Sequence, residues 1–194
     1  MAPSRPRIGG PEPLLEATLA VLAREGVGAV TVRRVATEAG ASPGTVTHHF
    51  GSVDDLLIAA LRHGSAHVIA DLERLALDLQ DDSWDIDGWA DAFAGMLDES
   101  LRTRPDRHVA CFELQLLARR RPELRAAVTS ATAAYLRIAR IVLSSVGAPD
   151  AAADAARLVA LTVGLILGEL AAPDEGRRER LRTALAVDVL ATGR

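Results

Sequence analysis

The sequence predicts an all-α protein, and three observations predict it. Of 194 residues, 36 are Ala and 27 are Leu, so a third of the chain consists of two strong helix formers. Only 6 residues are aromatic and 23 are Val or Ile, too few of the side chains that suit a pleated sheet. Apolar residues recur at spacings of three and four along most of the chain, the period of helices with one buried face. A chain of this length buries roughly 70% of the surface its unfolded form exposes, enough to fold without disulfides or a structural metal.

Taken in order, residues 1–13 hold four prolines and two glycines beside Arg5 and Arg7, the composition of a flexible arm. Residues 14–51 read as three short helices. The first carries Leu15, Leu19, Leu22 and Ala23 and stops at Gly26, where a left-handed residue closes a helix. Thr31 caps the second, which carries Val32, Val35, Ala36 and Ala39 and ends at Gly40. Ser42 followed by Pro43 is an N-cap with proline in the first turn, opening the third helix through Phe50. Residues 52–194 follow as a second segment. Ser52 and Asp55 form a capping box for a long connecting helix, 53–79, striped by Leu57, Leu61, Gly64, Val68, Leu72, Leu75 and Leu79. Six aspartates between Asp78 and Asp91 mark a solvated linker; as a calcium loop the stretch fails, with Ser83 and Ala94 where ligands are needed. Further helices are expected at about 86–103, 106–120, 122–146, 150–172 and 175–191, punctuated by Pro105, Pro122, Gly147 with Pro149, and Pro173.

All 22 basic residues are Arg, and the formal net charge is -4. Charge is uneven, however: residues 1–63 balance 6 Arg against 6 acids, and Ala39 to Val53 contains no acid but two histidines. The single cysteine, Cys111, has no partner for an internal disulfide. The longest strongly apolar run, Leu158 to Gly168, is 11 residues, against roughly 20 for a bilayer span, and no signal core opens the chain. A cytoplasmic protein with no membrane partner is expected. There is no nucleophile elbow, phosphate loop or paired metal motif, so no catalytic residue, metal or cofactor is assigned.

Two short helices joined by a glycine turn, with Ala36, Gly40 and Val46 at offsets of zero, four and ten, fit a helix-turn-helix. An ordinary helical hairpin in a bundle satisfies the same spacing. In the first reading the helix from Pro43 to Phe50 enters a DNA groove and presents Pro43, Gly44, Thr45, Thr47, His48 and His49. Base readout falls to Gly44, Thr45 and His48: the threonine hydroxyl can bond a base edge and its methyl can touch thymine, while a neutral imidazole offers one donor and one acceptor.

Residues 14–62, LLEATLAVLAREGVGAVTVRRVATEAGASPGTVTHHFGSVDDLLIAALR, resemble the N-terminal domain of the TetR family of bacterial transcriptional regulators. The likeness lies in the Thr31-Val32 helix start, the Ala39-Gly40-Ala41-Ser42 turn, Gly44-Thr45-Val46, Phe50, and Asp55-Leu56-Leu57 opening the long helix. It implies a nine-helix fold with a helical ligand-binding and dimerisation domain, and a homodimeric repressor that binds double-stranded operator DNA and is released by a small-molecule effector. Two positions depart from the family pattern, which has an aromatic at Thr47 and a Lys at Val53, both commonly on DNA phosphates. Phosphate anchoring is therefore expected from Thr31, Arg33, Thr47, His49 and helix-start amides. Arg5 and Arg7 either reach the minor groove or take no part.

In the fifth helix Ile86, Trp89, Phe93, Met96 and Leu97 share a face, and in the seventh Leu124, Val128, Ala131, Tyr135, Ile138 and Val142 do. Such stripes are core material first. The resemblance implies a cavity between these helices, which makes Trp89, Phe93, Met96, Cys111, Phe112, Gln115 and Tyr135 the candidate effector contacts. His63 and His67, with His108 and Cys111, are the residues a metal sensor would use, but the helical wheel turns His63 and His67 toward solvent or a neighbouring loop. The eighth helix is apolar nearly all round and repeats Ala or Gly every fourth residue from Ala152 to Ala172, a low ridge suited to close helix packing. The family uses its last two helices for dimerisation, so Ala160, Gly164, Gly168, Leu181 and Leu185, with Val189, are the expected interface. Two other classes stay open: a helical partner-binding module that has lost DNA binding, suggested by the net charge, and a small helical enzyme, for which no particular residue speaks.

Overall fold

The computed structural model describes residues 10–80, 86–145, 147–173 and 175–192, and within them the side chains of all but 78–80, 86 and 188–192. The arm with Arg5 and Arg7, the linker positions Ser83 and Asp85, and the side chains of Leu79, Ile86 and Val189 therefore lie outside the described residues. Among the described residues there are nine α-helices and no strand: α1 Glu12–Glu25, α2 Val32–Glu38, α3 Pro43–His49, α4 Val53–Gln80, α5 Ile86–Thr103, α6 Pro105–Leu117, α7 Arg125–Ser145, α8 Ala151–Ala171 and α9 Arg177–Thr192. Single 3-10 turns occupy Val27–Ala29 and Pro122–Leu124.

Two bounds differ materially from the sequence reading. The sixth helix stops at Leu117, because the N–H groups of Arg120 and Arg121 both turn back to the Leu117 carbonyl, at 2.8 and 2.9 Å, ahead of Pro122. Pro122 then opens a 3-10 turn, and α7 begins only at Arg125. The start of α4 is capped as its residues require: Asp55 N–H donates to Ser52 Oγ at 3.0 Å and the Ser52 hydroxyl donates to the Asp55 carboxylate at 2.8 Å.

The helices pack as two units whose divisions fall inside α4, between Ala66 and His67, at the start of α6, between Pro105 and Asp106, and inside α7, between Ala131 and Thr132. Packing thus cuts across the segments 14–51 and 52–194 expected from the sequence. The first unit holds the described residues up to Ala66 with Asp106–Ala131. Its core joins Leu14, Leu19 and Leu22 of α1, Val35 and Ala36 of α2, Val46 of α3, Leu56, Leu57 and Leu61 of α4, and Leu114 and Leu124. Burying each such side chain contributes about 1.5–3 kcal/mol, which is why the short α2 and α3 persist at seven residues each. Thr18 sits in this core with no exposed surface, its hydroxyl satisfied by the Leu14 carbonyl at 2.7 Å. Gly64 of α4 lets α6 come close: a Cβ there would lie 2.8 Å from Cys111 Sγ.

The second unit comprises His67–Pro105 with the described residues from Thr132 onward. Here α5 lies along α9, with a smaller contact to α8. Trp89, Phe93, Leu97 and Leu101 are buried, as are Leu181 and Leu185 of α9. Arginines hold α9 in register: Arg177 reaches Asp98 at 2.6 Å, Arg178 reaches Asp91 at 2.8 Å, and Arg180 grips the buried Glu169 of α8 through contacts of 2.9 to 3.1 Å.

Candidate functional site

The turn between α2 and α3 is built by three side-chain or backbone devices. Thr31 Oγ1 accepts the Arg34 N–H at 3.1 Å and starts α2. At the other end Gly40, with φ of 65°, takes the left-handed conformation that an L side chain resists, and Ala41 N–H returns to the Ala36 carbonyl at 2.8 Å while Gly40 N–H returns to Thr37 at 3.2 Å. That pair of bonds is a Schellman closure. Ser42 Oγ then accepts the Thr45 N–H at 3.1 Å, and Pro43 starts α3. Ala36 and Val46, each 1% exposed, lock the two helices onto α1 and α4, which is the helix-turn-helix arrangement.

On the outer side of α3, Pro43, Gly44, Thr47, His48 and His49 are exposed and Thr45 is half-buried. The Thr45 hydroxyl lies 2.9 Å from Ser42 Oγ, and the His48 and His49 rings stand edge to face at 5.2 Å. Gly44 has room to spare within its own chain, its nearest neighbour being Ser42 Oγ at 3.6 Å from a built Cβ. Thr31 and Arg33 are exposed. Arg34 is spent internally, on Glu25 at 2.5 Å and Glu38 at 3.1 Å, and Glu38 also takes Arg24 at 2.7 Å. The Arg34 hydrogen bond holds the Glu25 carboxyl below its ordinary range and Arg24 does the same to Glu38, so both acids beside the motif stay ionised and paired.

The candidate effector residues fall into both units. Trp89, Phe93, Met96 and Tyr135 belong to the second; Cys111, Phe112 and Gln115 belong to the first. The Trp89 and Phe93 rings meet at 5.2 Å with planes tilted by 47°, and both are buried. The Trp89 indole nitrogen is buried with no hydrogen-bond acceptor among the described residues. Met96, Phe112, Gln115 and Tyr135 are half-buried. Burial pushes the Cys111 thiol up to about 11 despite the nearby Arg107 cation, so it is not a thiolate at neutral pH. His63 meets a helix where the helical wheel indicated solvent or a neighbouring loop: its Nε2 lies 2.7 Å from Glu16 of α1, which also receives the buried Arg107 at 2.7 Å. His108 is buried and held below the ordinary histidine value by that burial and then by Arg107.

Comparison with known proteins agrees with this geometry. Residues 14–60 match the family model described as bacterial regulatory proteins, tetR family, and residues 84–190, more than half of the chain, match the tetracyclin repressor-like C-terminal domain. The chain belongs to the TetR family. Regulator BetI 2 of Chromohalobacter salexigens is 43% identical over 49 residues, 25% of this chain and 24% of its own length, so the matched stretch spans about a quarter of that curated relative. Similarity to solved structures is broader. A transcriptional regulator from Rhodococcus sp. Rha1 superposes with a TM-score of 0.78 at 27% identity over 94% of this chain and 95% of its own. The multidrug binding protein EbrR, solved with imidazole, gives a TM-score of 0.67 at 26% identity over 91% and 93%.

As a TetR-family member the chain belongs among bacterial regulatory proteins, not enzymes, through both its helix-turn-helix region and its tetracyclin repressor-like C-terminal domain. Its two departures from the family pattern have structural counterparts. The Thr47 hydroxyl turns back onto the carbonyls of Gly44 at 3.2 Å and Pro43 at 3.4 Å, and Val53 packs against the first core. On α8, Ala160, Gly164 and Gly168 are exposed, Val163 and Leu167 stand beside them, and a Cβ at either glycine would meet nothing within 4 Å among the described residues. The expected partners on α9 are a correction: Leu181 and Leu185 have no exposed surface, because α5 and α9 already enclose them, so their side chains are not available to a second subunit. The helical segments Pro122–Ser145 and Ala151–Ala171 are long and apolar enough to cross a membrane by length and composition, which the count of uninterrupted apolar residues did not register because Ala, Gly and Thr dilute it. Sequence reasoning also passed over Arg107 and the pair Arg121–Asp54. The run Arg119-Arg120-Arg121-Pro122 was the available signal for the second.

Proposed function

We propose that the protein is a homodimeric transcriptional repressor of the bacterial cytoplasm, released from its operator by a small apolar or amphipathic effector. The observation that carries the reading is the Schellman-closed turn, which holds the outer side of α3 exposed and free of acids. Thr45 and His48 read base edges, Gly44 allows close approach, and Thr31, Arg33, Thr47 and His49 hold the backbone. Two such helices in one dimer enter successive major grooves about 34–36 Å apart. The dimer forms through the exposed ridge Ala160, Gly164 and Gly168 of α8, where small residues permit close helix approach. Such a use explains why α8 is apolar and yet exposed, without a membrane.

The effector contacts Trp89, Phe93, Met96 and Tyr135 of the second unit. A flat aromatic compound carrying a hydrogen-bond acceptor suits the Trp89–Phe93 pair and the unpaired indole N–H. EbrR, solved also with proflavin and ethidium, is consistent with that class. Its signal passes along α4, the helix shared by both units, and a coupling of about 1–3 kcal/mol changes DNA affinity about 5- to 150-fold. The net charge of -4 favours one other reading, a partner-binding module without DNA affinity.

The experiment is a gel shift on duplexes covering the DNA on either side of the protein's own gene, with proflavin added to bound samples. Retention of one duplex over competitor DNA, and its release by proflavin or a related planar compound, supports the reading. Failure to retain any duplex supports the partner-binding module.

A further inference from the structure

The family's usual cation at the start of the long helix is absent here, since that position is Val53 and its side chain packs inward. The next residue, Asp54, carries an ion pair to Arg121, from the segment that follows α6. That segment is locally basic: residues 114–131 contain four arginines, Arg119, Arg120, Arg121 and Arg125, against the single acid Glu123, within a molecule of net charge -4. It is also firmly held. Ala118, Leu124 and Ala127 are buried in the same core as α1, α2 and α3, and Arg125 Nε donates to the Ala118 carbonyl at 3.3 Å. Arg119 and Arg120 are exposed, and their guanidinium groups make no hydrogen bond or ion pair among the described residues.

We propose that the Arg119–Arg120 pair is a second DNA contact, a clamp on the phosphate backbone flanking the groove entered by α3, which replaces the cation missing at Val53. The proposal rests on the DNA-binding reading. Arg121 fixes its place by tying the segment to the first turn of α4, four residues after the recognition helix ends at His49. Guanidinium groups suit the site because they pair with phosphate oxygens through two parallel N–H bonds and stay charged at any relevant pH. Phosphate contacts of this kind position the protein on the duplex without reading its sequence. Cations at a helix C-terminus also interact favourably with the helix dipole, and that purely structural use makes the opposite prediction below.

The probe is a fluorescein-labelled 30-base-pair duplex of mixed sequence, titrated by anisotropy with the full-length protein from 50 to 300 mM salt. The double variant Arg119→Gln/Arg120→Gln should bind roughly tenfold or more weakly at 100 mM salt, and the slope of log affinity against log salt should fall by about 0.9 for each phosphate that is no longer neutralised. Arg119→Lys/Arg120→Lys, which keeps the charge, should retain most of the slope. An unchanged slope in the Gln variant, with wild type bound to the duplex, overturns the clamp and leaves the DNA-binding reading intact. A lowered melting temperature with an unchanged slope assigns the arginines to the helix end and overturns it equally. Wild type that binds neither this duplex nor its own upstream DNA overturns both.

Discussion

Single side chains decide what the first unit does. Thr45 and His48 stand on the outer side of α3 while Val46 alone anchors that helix in the core, so recognition and stability are separable there. Thr45→Ala and His48→Ala should each weaken binding to the cognate duplex by about 1–3 kcal/mol, measured by anisotropy, with the melting temperature nearly unchanged. His108 is a different case. Because burial and Arg107 hold its pKa below the ordinary value, an unfolded chain takes up the proton from about pH 6.5 downward before the folded chain does. Its contribution to stability is complete above that pH and is lost as the pH falls toward the folded value. The melting temperature of wild type should therefore drop between pH 6.5 and 5, and His108→Gln should flatten that part of the curve. None of this was legible in the sequence, where His108 was one more imidazole without a visible neighbour. Capping residues were legible: Thr31, Ser42 and Ser52 act within three residues of themselves, and such bonds need no knowledge of the fold.

At the scale of elements, period and punctuation located the helices well because most stops were a glycine or proline with its own backbone requirement, the end of α4 at an aspartate-rich linker being the exception. The end of α6 was misread since Arg119, Arg120 and Arg121 are good helix formers, and only the Pro122 ring and the bonds to the Leu117 carbonyl end it early. Partner choice was less legible than position. The Trp89–Phe93 stripe would suit any apolar neighbour, and it is the arginines of α9, matched to Asp91, Asp98 and Glu169, that commit α5 and α8 to α9. Arg180→Ala should leave the Glu169 carboxylate largely buried without its partner, a loss of about 1–3 kcal/mol in urea unfolding. Arg182→Ala, which removes only an exposed pair with Glu179 within α9, should change stability by less than about 1 kcal/mol.

For the molecule as a whole, the unanswered exposure is on α8. A Cβ at Gly164 or Gly168 would meet nothing within 4 Å among the described residues, so a bulky residue there reports on contact between chains and not on internal packing. Gly168→Leu should yield a folded monomer with weakened operator binding, read by sedimentation and melting on one sample; a variant that remains a dimer at micromolar concentration would move the interface elsewhere. The sequence showed the ridge but not its neighbours. It could not separate Gly164 from Leu181, since both lie on apolar faces, and only the packing of α5 on α9 hides one and leaves the other open.

Among the described glycines Gly64 is the most tightly enclosed by its own chain, and the contact has a historical consequence. Alanine at that position gains helix propensity of about 1 kcal/mol but places its Cβ 2.8 Å from the Cys111 sulfur, an overpacking cost of about 1–3 kcal/mol. In the wild-type background Gly64→Ala should therefore destabilise, whereas in a Cys111→Ala background the same change should stabilise, a reversal of sign that paired urea titrations can read. Lineages descending from a common ancestor then have an ordered path between the two states: position 111 must shrink before position 64 can grow. Relatives with a larger residue at the first site should carry a smaller one at the second, and the reverse order of substitution should be rare.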